Sequence, residues 1–210
     1  MNAAFTPVDI FVDPICPFAW LTSRWLLQVE QVRAVTATFR IMSLSVLNDG
    51  RDGLSEFYRE LVDSGWGPAR VAVAVEHEHG PDAFRRFYDA FGTRHHVGRR
   101  DLGSELIVDA LTAAGLPTAL ADAADTSELD ERLRASHQAG MLPVGADVGT
   151  PVLHIHPPDT GSTITIFGPV VTPAPTGEPA GRLWDGVLMV AGIGEFFELK
   201  RSRTRPLEFT

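Results

Sequence analysis

Apolar residues recur along the chain in two periods, and each change of period marks an element. Residues 8–12 (Val8, Asp9, Ile10, Phe11, Val12) form a short β-branched and aromatic run that predicts a buried strand. Asp13-Pro14 breaks the run, and Pro17 suits the first turn of a helix, where its missing N–H costs nothing. From residue 18 to about 33, Trp20, Leu21, Arg24, Trp25, Gln28 and Val29 fall at helical spacing. A second strand is predicted over 36–42, with Phe39 and Ile41 on one face. Strand, helix and strand in this order make the βαβ unit of a parallel sheet.

The middle of the chain is helical throughout. Helices are predicted over 56–64, 69–79, 82–93, 104–114, 118–124 and 128–139, separated by breakers such as Gly80-Pro81 and Gly115-Leu116-Pro117. Ser127, three residues before Asp130, has the arrangement of a capping box. Strand signals return at 152–156 and 163–167, and Pro157 to Ser162 between them read as a hairpin loop. A Pro-rich loop covers 169–179, and an amphipathic helix over 183–200 closes the chain. Parallel strands first and a hairpin afterwards, sharing one sheet, is the thioredoxin plan: α/β, with a large all-helical insertion. Residues 1–48 and 146–210 form the thioredoxin-like part, and 49–145 the insertion that interrupts it.

Composition narrows the functions open to such a fold. The chain has 210 residues, 44% of them hydrophobic, enough to fill one core. It carries 18 Lys+Arg against 27 Asp+Glu, a net charge of −9, which argues against nucleic acid and anionic membrane as partners. Lys200 is the only lysine; with the many alanines this suggests a GC-rich bacterial genome. The first residues lack a basic stretch followed by an apolar run, and no segment approaches the ~18 apolar residues of a membrane helix, so a cytoplasmic location is expected. One cysteine excludes an internal disulfide and any zinc site of several thiolates.

That cysteine, Cys16, falls at the strand-to-helix turn Asp13-Pro14-Ile15-Cys16-Pro17-Phe18-Ala19. A lone thiol is more often a small buried hydrophobe than a reactive group. Its predicted place at a helix N-terminus favours reactivity, because unpaired N–H groups and the helix dipole stabilise an anion and can lower a thiol pKa from ~8.5 to roughly 3.5–7.5. Pro14, Pro17, Phe18 and Ala19 shape the turn, and Phe18 is the aromatic expected to be exposed there.

The stretch from Phe11 to Trp25 closely resembles the active-site segment of the actinobacterial mycothiol-dependent nitroreductases, within the DsbA-like thioredoxin-fold oxidoreductases. Met42-Ser43-Leu44, Trp66-Gly67-Pro68, Ser136 to Gly140, Asp147 to Pro151, Phe167-Gly168-Pro169-Val170 and Phe196 to Arg201 extend the likeness over nearly the whole chain. The family pattern is Cys-Pro-Trp-Cys, whereas here it is Cys-Pro-Phe-Ala, with Ala19 where the second cysteine would stand. The resemblance implies that Cys16 is the nucleophile and that mycothiol or another small thiol is co-substrate, with no tightly bound cofactor. It also implies a cis Thr150–Pro151 bond beside Cys16, the Thr150 backbone serving the substrate. Without a resolving thiol the route is a monothiol one, in which a second small-thiol molecule releases the mixed disulfide. Reduction of nitro compounds is the activity the family name implies. Alternatives are a kappa-class glutathione transferase or isomerase that binds a thiol without forming a disulfide to it, and a non-catalytic thiol-binding module. A homodimer is left open.

Other candidate residues are weaker. Trp20, Trp25 and Trp66 line either an aromatic cleft or the core. His95 and His96, near Arg94, Arg99 and Arg100, form a cationic cluster in the insertion that orients a polar thiol or is simply solvated. His154 and His156 share a strand face with no acidic or thiol ligand at suitable spacing, and His77 and His79 do not share a helix face, so no metal site is expected. Ala191-Gly192-Ile193-Gly194 lacks the spacing of a dinucleotide fingerprint, so reducing equivalents are expected from a thiol.

Overall fold

The computed structural model describes residues 5–145, 147–158 and 161–209. Its sheet has four strands in the order β2-β1-β3-β4. Strand β1 (Thr6–Val12) pairs parallel with β2 (Val35–Ile41) and antiparallel with β3 (Val152–Ile155), which pairs antiparallel with β4 (Ile164–Phe167). The unbroken apolar run Ile10-Phe11-Val12 fits this central position, where both strand faces are covered. Helix α1 (Pro17–Val32) starts at its proline and buries Trp20, Leu21, Trp25, Leu26 and Val29. Trp25 Nε1 donates to the Ala180 carbonyl at 3.1 Å, joining α1 to α8 (Glu178–Ala191). This is the predicted thioredoxin-type α/β fold with a helical insertion.

Between the two halves of the sheet lie α2 (Leu44–Leu47), α3 (Glu56–Ser64), α4 (Trp66–His79), α5 (Pro81–Gly92), a π-helical turn (Thr93–Val97), α6 (Ser104–Ala113), a 3₁₀ segment (Thr118–Asp125) and α7 (Asp130–Met141). Helices α4 to α7 share a hydrophobic core with the sheet, and Met141 at the end of α7 packs with Phe11, Met42 and Val152 in a second cluster. Tyr88 of α5 joins the layers, its ring 5.6 Å from that of Phe39 on β2 and 5.8 Å from that of Trp20 on α1.

Three local expectations are corrected. Ser127 does not cap α7: its backbone carbonyl accepts the Asp130 N–H at 3.1 Å, and no side-chain cap forms. The Asp130 carboxylate is instead held by Arg70, at 2.7 and 2.8 Å. Helix α4 begins at Trp66, with Pro68 inside its first turn, rather than at residue 69. The last helix spans Glu178–Ala191 rather than 183–200, because Pro179 opens it and Gly192 ends it. The apolar residues beyond that stop, Phe197 and Leu199, are exposed.

Candidate active site

The site is built on the chain leaving β1. Asp13 is completely buried, and its carboxylate staples the turn: Oδ1 accepts the Ile15 N–H at 2.8 Å and Oδ2 the Leu44 N–H at 2.6 Å. Its backbone carbonyl accepts the Cys16 N–H at 3.1 Å. Burial pushes the Asp13 pKa up to about 6 against the pull of those two N–H donors. Cys16 is the N-cap of α1, its Sγ accepting the Ala19 N–H at 3.5 Å, with Pro17 in the first turn.

The chain return at β3 meets this turn. The Thr150–Pro151 bond is cis. The Cys16 thiol donates to the Thr150 carbonyl at 3.4 Å, and Thr150 Oγ1 donates to the Phe11 carbonyl at 3.1 Å. Gly168–Pro169 and Thr172–Pro173 are cis as well, in the loop after β4. That loop is tied to α1 by Thr22 Oγ1, which donates to the Pro169 carbonyl at 2.7 Å.

The electrostatics reverse one expectation. Cys16 stands at the helix N-terminus as predicted, but it is only 2% exposed. Burial, helped by the nearby Asp13 carboxylate, pushes its thiol from 9.0 up to about 12, outweighing the Ala19 and Phe18 N–H groups. At rest the sulfur is a protonated, buried thiol. Its reactivity therefore depends on what uncovers it.

The insertion delivers His96 to the turn. Its ring is buried, Nε2 lies 2.9 Å from the Pro14 carbonyl, and burial holds its pKa down at about 3. His96 is thus neutral and donates through Nε2, an anchor for the active-site turn rather than a member of a cationic cluster. His95 is half-buried, with Nδ1 2.8 Å from the Arg100 carbonyl and its ring 4.7 Å from that of His96. Trp20, expected at the substrate, is 2% exposed and lies between Arg24, Tyr88 and His96, with the Arg24 guanidinium 4.0 Å from its ring centre. It is core behind the site. Trp25 is core too, and Trp66 lies between Arg70 and Arg134. Phe18 is half-buried beneath Arg203. His156 does meet a carboxylate, Asp9 on the neighbouring strand at 3.1 Å, a partner that spacing along one strand does not reveal. No group of three or more His, Cys, Asp or Glu capable of holding a metal ion occurs among the described residues.

A cysteine N-capping α1 against a cis-proline loop is the geometry on which the comparisons with known proteins bear. The family model described as Rv2466c-like, mycothiol-dependent nitroreductase Rv2466c, matches residues 15–201. The chain belongs to the Rv2466c-like family. The uncharacterized protein Rv2286c of Mycobacterium tuberculosis is 29% identical over 201 residues, spanning 95% of this chain and 83% of that protein. Among solved structures, a putative protein disulfide isomerase from Nitrosomonas europaea aligns with a TM-score of 0.57 at 15% identity, covering 88% of this chain and 98% of that one. A probable DsbA oxidoreductase from Streptomyces coelicolor aligns at 0.54 and 15% identity, covering 95% of each chain. These likenesses establish the DsbA-like thioredoxin fold. Within the Rv2466c-like frame, thiol oxidoreduction is the activity of the family, and Ala19 is fully buried where the Cys-Pro-Trp-Cys pattern has its second cysteine.

Sequence reasoning missed two contributors. Asp13 reads as a strand breaker, and only its two backbone partners, one of them 31 residues away, reveal the staple. The segment after residue 200 has no periodicity to mark it, yet Arg203 and Phe209 reach the active-site turn and His96.

Proposed function

We propose that this protein is a monothiol, mycothiol-linked oxidoreductase in which Cys16 is the sole nucleophile. The observation that supports this most is the position of Cys16, at the N-terminus of α1 and against Thr150–Pro151, with Ala19 in place of a resolving thiol. The Cys16 thiolate attacks one sulfur of a disulfide R–S–S–R′, forming Cys16–S–S–R and expelling R′–S⁻. A small thiolate then attacks sulfur R of that mixed disulfide, releases R–S–S–R″ and restores the Cys16 thiolate. The net of these two steps is one exchange, R–S–S–R′ and R″–SH giving R–S–S–R″ and R′–SH. When a second R″–SH discharges R–S–S–R″ in the same way, R–SH is freed and R″–S–S–R″ forms, so that two small-thiol molecules have supplied the two electrons and two protons that reduce the substrate.

The chain's own groups divide the work. The N–H groups of Ala19 and Phe18 stabilise the thiolate once it is uncovered. Asp13 and His96 hold the turn, and the Thr150 backbone with Pro151 forms the wall along which the thiol substrate lies. His95, half-buried with its ring 4.7 Å from that of His96, backs the histidine that holds the turn. The thioredoxin-like part comprises 1–48 and 146–210, with 49–145 as its cover. No helix among the described residues is long and apolar enough to cross a membrane, and mycothiol dependence favours the cytoplasm. Nitro-compound reduction fits the same electron count: two thiols become one disulfide as a nitro group becomes a nitroso group and water.

Turnover tests this reading. Purified protein with reduced mycothiol and a disulfide or nitroaromatic acceptor should oxidise mycothiol, and Cys16→Ala should not. Equal rates in the two proteins would contradict it.

A further inference from the structure

Two clefts of about 380 and 250 Å³ open on the helical part, the first between Arg86 and Arg94 and the second between Pro68 and Ile107, and neither includes Cys16. The sulfur that the proposed reaction needs is closed off. The chain beyond α8 lies against the residues that flank it. After Ala191 no regular helix or strand follows among the described residues, and the segment turns back to the active-site turn.

It is fastened there at three places around Cys16. The Arg203 guanidinium lies 4.7 Å from the ring centre of Phe18, two residues after the cysteine. The Phe209 ring stacks on His96 at 5.8 Å and 24°, and His96 in turn holds the carbonyl of Pro14, two residues before the cysteine. Between these two, the Glu208 N–H donates to Thr172 Oγ1 at 2.8 Å, on the loop that Thr22 ties to α1. Phe209 packs on the core, while Arg203 to Pro206 are exposed. Nearly all of the segment also lies beyond residue 201, where the match to the family model ends.

We propose that residues 201–209 form a strap across the Cys16 site and that a small thiol reaches the sulfur only when this strap lifts. The inference rests on the reading of Cys16 as the nucleophile. The fastening suits a lid: one cation–π contact, the Phe209 ring packed on His96 and the core edge, and one hydrogen bond from a backbone N–H to a threonine hydroxyl, without a ladder or an ion pair to the body among the described residues. The Arg205–Glu208 pair at 3.7 Å is internal to the strap. Segments with so few buried contacts open without global unfolding. Lifting the strap admits water to Sγ and relieves the burial that keeps the thiol protonated, while the Ala19 and Phe18 N–H groups stay in place. Closure therefore both hides and silences the thiol.

Alkylation of Cys16 by iodoacetamide reads access directly and needs no mycothiol. Three proteins are compared: the full chain, a chain ending at Lys200, and the full chain carrying Arg203→Ala with Phe209→Ala. Both altered proteins should react at least ~10-fold faster than the full chain, with unchanged circular dichroism, because reaction at a locally closed site scales with the fraction open. They should also show a lower pH midpoint for alkylation. Equal alkylation rates in folded variants would overturn the strap; should the shortened chain fail to fold, the double substitution decides. Oxidised mycothiol separates the two claims. Faster alkylation without any mycothiol adduct keeps the strap and removes the thiol-reductase reading. Adducts forming at the same rate in all three proteins do the reverse.

Discussion

Cys16 receives the Ala19 N–H at the head of α1, yet it is buried and its thiol is raised to about 12. The helix terminus and the burial act in opposite directions, and burial wins while the site is closed. The local turn that positions the cysteine is legible in the sequence, since Pro14, Pro17 and the preceding strand run all lie within a few residues of it. The burial is not, because the Thr150 carbonyl that the thiol meets stands 134 residues away along the chain, and only the fold brings it near. The neighbouring alanine makes a direct prediction. With the Ala19 N–H 3.5 Å from Sγ, Ala19→Cys should place a second sulfur within bonding reach. Thiol titration should find two free thiols in that variant when reduced and none after mild oxidation, whereas the native chain cannot close a disulfide on itself. Two thiols persisting under oxidation would count against this geometry.

At the scale of elements, strands β1 to β4 and helices α1 and α3 to α7 were legible from periodicity and breakers, because each buries a face whose period is written in its own residues. Periodicity carries the last helix too far, because apolar residues continue past Gly192 at helical spacing and end up exposed rather than packed. Trp20 was ambiguous for a related reason: helical spacing cannot separate a core wall from a cleft wall. Gly92 resolves it. A Cβ there would lie 2.2 Å from two carbons of the Trp20 ring, so the glycine at the end of α5 is the surface on which the indole rests. Gly92→Ala should destabilise the protein by about 1–3 kcal/mol through overpacking, in urea unfolding. A neutral or stabilising effect would mean that the insertion does not press on α1 at this point.

For the whole molecule, acid stability follows from three buried groups. Burial holds His96 down at about 3 and His137 at about 4, against 6.5 in the unfolded chain. Each contributes stability that is present above 6.5 and lost as the pH falls through its folded value. Asp13, raised from 3.8 to about 6, acts in the opposite sense: its contribution is present below 3.8 and lost as the pH rises through 6. Between about pH 4 and 6 these two histidines, joined by His154, whose pKa burial also lowers, oppose one carboxyl, so stability should fall on acidification. In urea titrations, His137→Gln should flatten that fall and Asp13→Asn should steepen it. A profile unchanged by both substitutions would contradict the assignment.

The central claim is that one cysteine, resolved from outside, carries the chemistry of this Rv2466c-like protein. Intact-mass spectrometry tests it most directly: the full chain and its Cys16→Ala variant are exposed to oxidised mycothiol and then to excess reduced mycothiol. The account predicts a single mycothiol adduct on the native chain, none on the variant, and its complete removal by the second thiol. No adduct on the native chain even after the strap contacts are removed, or an adduct that reduced mycothiol cannot discharge, would contradict it.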